Sequence, residues 1–238
     1  GTLSINYGTV SLLGGQLKTN GHVYVAQAGA TASFLISGSG LGVVATNLNF
    51  GYSSAATGTV SIRDGGSLTA TGSALLGFSG NATMLVSGST SKAIIGTAMH
   101  LGYTRSASGT VQVLDGGTLS HSGYTYLAFS GSGKLLVSGA GSNAIIKGTL
   151  TVGGNSASAG IISIQDGGAL TLGSTTIVGN YGNGTLIISG SGSSAIVESP
   201  LYFGYYASGT GTLSVQDGAA LSVARAMTIG SSGTGIVS

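Results

Sequence analysis

GTVSIRDGGSLT, residues 58–69, decides how this chain folds, because it keeps coming back. GTVQVLDGGTLS begins at Gly109, GIISIQDGGALT at Gly160 and GTLSVQDGAALS at Gly211, a period of 51 residues. A weaker copy, GTVSLLGGQL, begins at Gly8. Self-similarity at a fixed period of this size is the signature of solenoids, propellers or arrays.

Each 51-residue unit holds a second, shorter copy. GTVSI at Gly58 is echoed by ATMLV at Ala82, GTVQV at Gly109 by GKLLV at Gly133, and GIISI at Gly160 by GTLII at Gly184. An apolar residue followed by a small one sets the phase. It recurs at Val25-Ala26, Phe50-Gly51, Leu76-Gly77, Leu101-Gly102, Leu127-Ala128, Val152-Gly153, Val178-Gly179, Phe203-Gly204 and Ile229-Gly230, with spacings alternating between 25 and 26 residues. The elementary unit is therefore one coil, and the longer period is a doublet of coils.

Within a coil the apolar residues alternate with small polar ones over short runs such as Ile162-Ser163-Ile164, Leu170-Thr171-Leu172 and Leu150-Thr151-Val152. Period-two alternation bounded by Gly and Ser is a strand signal, and no stretch sustains a helical period. Three short strands in about 25 residues predict an all-β parallel β-helix of 9–10 rungs. Strands one rung apart should pair at about 4.8 Å, giving a rod on the order of 45 Å long. A β-propeller would need four strands in each 51-residue blade and gives no reason for the half-repeat. Two inward columns are predicted: Val60, Met84, Val111, Leu135, Ile162, Leu186 and Leu213, and Phe50, Leu76, Leu101, Leu127, Val152, Val178 and Phe203. One domain over residues 1–238 is expected, as part of a longer chain.

Composition narrows the function. Charged residues are 5% of the chain and the formal charge is +2, with Lys18, Arg63, Lys92, Arg105, Lys134, Lys147 and Arg225 scattered. Nucleic-acid binding needs clustered cations, so no nucleic-acid partner is expected. No apolar run approaches the roughly 18 residues of a membrane-spanning helix, so no membrane insertion of this segment is expected. The absence of Cys suits export through a pore in the unfolded state, where a premature disulfide would obstruct passage.

The ordered charges are Asp64, Asp115, Asp166 and Asp217, each followed by Gly and placed on alternate rungs. They read as a turn-forming ladder in which the carboxylate caps backbone N–H groups and Gly takes positive φ. Carboxylates two rungs apart are about 9.6 Å from each other, too far to share a metal. Glycosidic chemistry needs paired acids, and Glu198 is the single Glu. No catalytic residue, metal or cofactor is therefore assigned. The aromatic residues are the more informative outward feature. Tyr52, Phe78, Tyr103 and Phe129 follow the small marker residue on four consecutive rungs. A second outward column runs Tyr24, Asn49, Leu75, His100, Tyr126, Thr151, Ile177 and Tyr202. Leu85, Leu136 and Ile187, with Leu35, form a third. The candidate binding surface is Tyr24, His100, Tyr126 and Tyr202 together with Leu85, Leu136 and Ile187. The flat Ser/Thr-rich faces also leave ice binding open.

The units GTLSVQDGAALSV…MTIG and GTVSIRDGGSLT…LLGFSG resemble the Gly-rich repeats of type V secretion autotransporter passengers, over essentially all 238 residues. The resemblance implies a right-handed, pertactin-like β-helix, secreted or held at the cell surface of a Gram-negative bacterium. It also implies a non-enzymatic role as adhesin, self-association surface or stalk. The expected partner is a host or neighbouring-cell surface protein, a glycan, or a second copy. The alternative is a structural subunit that polymerises end to end into an extracellular filament.

Overall fold

The computed structural model describes residues 1–39 and 42–238. The chain winds as a three-sided parallel β-solenoid. Each coil gives one strand to each of three sheets, here A, B and C in chain order. For one central coil these are Ala98–Leu101, Ser108–Leu114 and Thr118–His121. Sheets A and B each hold ten strands and sheet C nine, stacked in sequence order along the axis. Every pairing is parallel between one coil and the next, and no helix occurs among the described residues. None is therefore long and apolar enough to cross a membrane.

Alternation within the strands sorts the side chains. In Asn81–Ser87 of sheet B, Ala82, Met84 and Val86 are buried while Thr83, Leu85 and Ser87 are half-exposed. Register then stacks like on like: Val60, Met84, Val111 and Leu135 are successive Cα partners, as are Phe50, Leu76, Leu101 and Leu127. All of these are 0–1% exposed. Both inward columns read from the sequence lie in the core.

The core also explains part of the doublet. In the six coils from Leu68 to Leu201, inward positions on sheets C and A compensate for each other's volume. Leu68 is matched with Ala74, Ala93 with Met99, Leu119 with Thr125, Ala144 with Leu150, Leu170 with Thr176, and Ala195 with Leu201; all twelve are buried. Sheet C therefore alternates Leu and Ala along the rod. Close-packed interiors demand nearly constant volume per layer, and alternating large and small side chains supplies it.

The corners need residues that ordinary side chains disfavour. Between sheets A and B, Gly102 takes φ +66°, and a Cβ there would collide with the carbonyl oxygen of Ser132. The sheet B strand then opens with a small inward residue. At Gly109 a Cβ would run into the carbonyl oxygen of Leu76 and lie 2.7 Å from the Leu101 Cα. That is why the strand begins Gly-Thr-apolar so persistently. The buried His121 ties the corner from sheet C to sheet A, its ring nitrogens 3.1 Å from the carbonyl oxygens of Ile95 and Tyr124.

Volume matching gives a direct test. Ala144→Leu should overfill its coil and cost about 1–3 kcal/mol in chemical denaturation. Adding Leu150→Thr should recover part of the loss, whereas Ser120→Ala, on the outward face, should stay within about 0.5 kcal/mol of the parent. Full additivity of the two core changes would contradict the compensation.

Candidate functional site

Coils stack about 4.8 Å apart, within the centroid separation of offset-stacked aromatic rings, so aromatics at one repeated outward position can stack on each other. Tyr52 stacks on Phe78 with centroids 4.8 Å apart and planes 11° apart. Phe78 stacks on Tyr103 at 5.2 Å and 15°, and Tyr103 on Phe129 at 4.9 Å and 12°. Tyr24 abuts the near end edge-on, 6.2 Å from Tyr52. Beyond Phe129 the equivalent position is Gly154, and the ladder stops.

Sheet A runs alongside with its own outward column. Tyr24, Asn49, Leu75, His100, Tyr126, Thr151, Ile177 and Tyr202 are consecutive Cα partners. His100 lies parallel to Tyr126 at 5.5 Å and edge-on to Tyr103, Tyr124 and Phe129 at 5.3, 5.6 and 6.4 Å. Its Nδ1 is enclosed without a hydrogen-bond partner, and so is the Oγ1 of the neighbouring inward Thr125. A hollow of about 440 Å³ opens here, with His100, Tyr126 and Phe129 on one side and Thr149 and Thr151 on the other. A second of about 440 Å³ lies across the Phe129 ring, edged by Arg105, Ser130, Asn155 and Ser156. A third, of about 310 Å³, continues along sheet A from His22 and Tyr24 to His100.

The structure brings only some of the candidate residues together. His100 and Tyr126 are in contact, and Tyr24, three coils from His100, lines the same sheet A hollow as His100. Asn49 between them is 7% exposed. Tyr202 belongs to a separate cluster with Tyr205, Tyr206 and Tyr181, in which Tyr181 and Tyr206 stack at 4.2 Å. Hydrogen bonding with Tyr181, then its charge and burial, raises the Tyr206 phenol above its ordinary pKa. Leu85, Leu136 and Ile187 lie on sheet B, a different face. Gln112 and Ser163 separate them in register, so they form no continuous apolar strip. Tyr124 and Asn155 are site residues that periodicity does not flag. Tyr124 falls at a strand start, and Asn155 in an exposed corner loop.

The Asp ladder is built differently from a simple backbone cap. Asp64, Asp115, Asp166 and Asp217 themselves take the left-handed conformation, with φ 52°, 53°, 55° and 57°. Their carboxylates accept from serine hydroxyls of the preceding coil: Ser37 to Asp64 at 2.7 Å, Ser87 to Asp115 and Ser138 to Asp166 at 2.9 Å. The backbone N–H groups of Gly65, Gly116 and Gly167 donate instead to Ser91, Ser142 and Ser193 of the following coil, each at 3.0 Å. The turns at Asp64, Asp115 and Asp166 are thus held by serines from both sides. Among the described residues no three His, Asp or Glu side chains converge as a metal site would require.

No protein-family description matches this chain, and no curated protein matches it. Among solved structures, the chain is similar to the TibC-catalysed, hyper-glycosylated fragment of TibA spanning residues 55–350. The match has 18% identity and a TM-score of 0.27, and covers 99% of this chain and 90% of that one.

Burial, then the charge of nearby His121, holds His100 below the ordinary imidazole pKa of 6.5. Tyr103, Tyr124, Tyr126 and Phe129 face it and offer no anion. The unfolded chain then protonates first, so stability is full above pH 6.5, falls as pH drops toward the folded value, and levels below it. Thermal melts at pH 7.5 and 5.0 should show this loss, and His100→Asn should shrink it. For the ladder, Asp115→Ala should cost about 1–2 kcal/mol through left-handed strain and the lost Ser87 bond. Asp115→Asn, whose side chain tolerates that conformation, should cost less, and calcium or chelator should leave both melting temperatures unchanged.

Proposed function

We propose that this chain is a non-enzymatic β-helical rod, secreted or displayed at the cell surface of a Gram-negative bacterium. It acts as an adhesin, self-association surface or stalk. Its contact face is the aromatic face of sheet A and the adjoining corner loops. One observation carries this reading: exposed and half-exposed rings concentrate on one side of the rod, whereas the large apolar residues exposed on sheets B and C, such as Ile94, Ile161 and Ile196, are aliphatic. Tyr52, Phe78, Tyr103 and Phe129 run in line with His100 and Tyr126 beside them. Large aromatics left on a surface, rimmed by polar groups and facing a concavity, are the usual anchors of recognition.

Supporting observations come from the charge layout. Asp64, Asp115, Asp166 and Asp217 occupy the opposite type of corner, between sheets B and C, singly and two coils apart. That spacing gives no acid pair for glycosidic chemistry. The Cys-free composition fits export, and an elongated rod carries a binding face away from its anchor. The partner is a surface protein, a glycan or a second copy.

Cell binding and self-association of the purified chain test this reading. The double variant His100→Ser/Tyr126→Ser should reduce one of them at least tenfold with an unchanged β-sheet circular dichroism spectrum. Leu136→Ser, on sheet B, should leave both intact. Equal retention by the two variants would place the contact surface elsewhere.

A further inference from the structure

The aromatic ladder ends at Phe129, and two hollows border that ring. We infer that the break after Phe129 is a carbohydrate subsite, in which pyranose rings of a glycan bind in the two hollows that border the Phe129 ring and use its one free face. The inference rests on the reading of this face as the contact surface.

Three ladder steps of 4.8–5.2 Å end at Phe129, because the next coil supplies Gly154 in place of a ring. One face of Phe129 covers Tyr103, and no aromatic ring follows on the other. A substituent at Gly154 is opposed by the backbone: a Cβ would approach the Phe129 carbonyl oxygen to 2.9 Å. The chain therefore cannot readily fill the vacant tier from that position. A flat ring with apolar C–H faces continues the stack in its place.

The two hollows around Phe129 differ in what they offer, and together they fit a polyhydroxylated ligand. Across the ring, Asn155 is exposed and its Nδ2 donates to Ser130 Oγ at 2.7 Å, which fixes its amide with the oxygen unengaged. Ser156 and Arg105 complete that edge. On the sheet A side stand Thr149 and Thr151. Hydroxyls both donate and accept, so a sugar satisfies amide and hydroxyl groups at once. Each hollow, at about 440 Å³, lies within the range of small-ligand sites.

Other ligand classes fit less well. An aromatic cage for an organic cation gains from nearby negative charge. No Asp or Glu lines either hollow, and Arg105 borders one of them. A protein partner of ordinary affinity would cover roughly 800 Å² of each surface, more than a cleft two rings wide provides.

The test is a printed array of neutral and acidic pyranose oligosaccharides probed with the purified chain, followed by calorimetric titration of the strongest binder. Phe129→Ala and Asn155→Ala should each weaken that binding at least tenfold, while Leu136→Ser should not. Unchanged thermal melts of Asn155→Ala, at an exposed loop position, separate lost binding from lost fold. Binding that survives Phe129→Ala, or an array with no binder, overturns the subsite. If cells are still bound and His100→Ser/Tyr126→Ser abolishes that binding, the contact face stands and its partner is not a glycan. If that double variant leaves cell binding and self-association intact, the contact face itself fails.

Discussion

Everything in this molecule depends on coils closing in step. A parallel ladder joins each strand to the one a coil earlier, and a single residue of slip would turn every inward side chain outward. The marker pairs from Val25-Ala26 to Ile229-Gly230 alternate by 25 and 26 residues without a slip, and the Cα register follows them strand for strand. No single coil can bury a core, so stability is a sum of neighbour interfaces. Constant phase allows that sum to accumulate.

The 51-residue doublet has two physical sources that reinforce each other. In the core, Leu and Ala alternate along sheet C while small and large residues alternate in opposite phase on sheet A. At the corner between sheets B and C, the Asp-Gly turns at Asp64, Asp115 and Asp166 use serines of both adjoining coils, such as Ser87 and Ser142 around Asp115 and Ser138 and Ser193 around Asp166. An Asp on every coil would remove those serines and set carboxylates at about 4.8 Å, where like charges repel. The arrangement favours alternation over a simple one-coil repeat.

Most of the fold was legible because its signals are periodic. Met84 and Leu101 could be placed in the core, and Leu85 and His100 on the outside, from alternation and phase alone. Sequence phase says where a residue lies along the rod but not how corners turn around it. Hence Tyr126 and Leu136, read as separate outward columns, were grouped in one candidate surface although they stand on different sheets. The left-handed φ of Asp115 was equally hidden, since Asp and the following Gly both tolerate it. The inward position of His121 follows from phase alone and not from its polarity, since other coils fill that slot with Ala, Ile, Leu or Val.

Recognition on such a rod is written in its irregularities. A perfect repeat presents the same surface at every level and cannot distinguish one height from another. The aromatic tiers from Tyr52 to Phe129 make one stretch unlike the rest, and the glycine at 154 gives that stretch an end. Stacked rings stabilise each other by about 0.5–1.5 kcal/mol per pair, so the ladder is rigid before any partner arrives. Rigidity lowers the ordering cost of binding. The same spacing that stabilises the solenoid thus preorganises its most distinctive surface. The last ring, with no aromatic partner on its far side, is where that preorganisation can be used by another molecule.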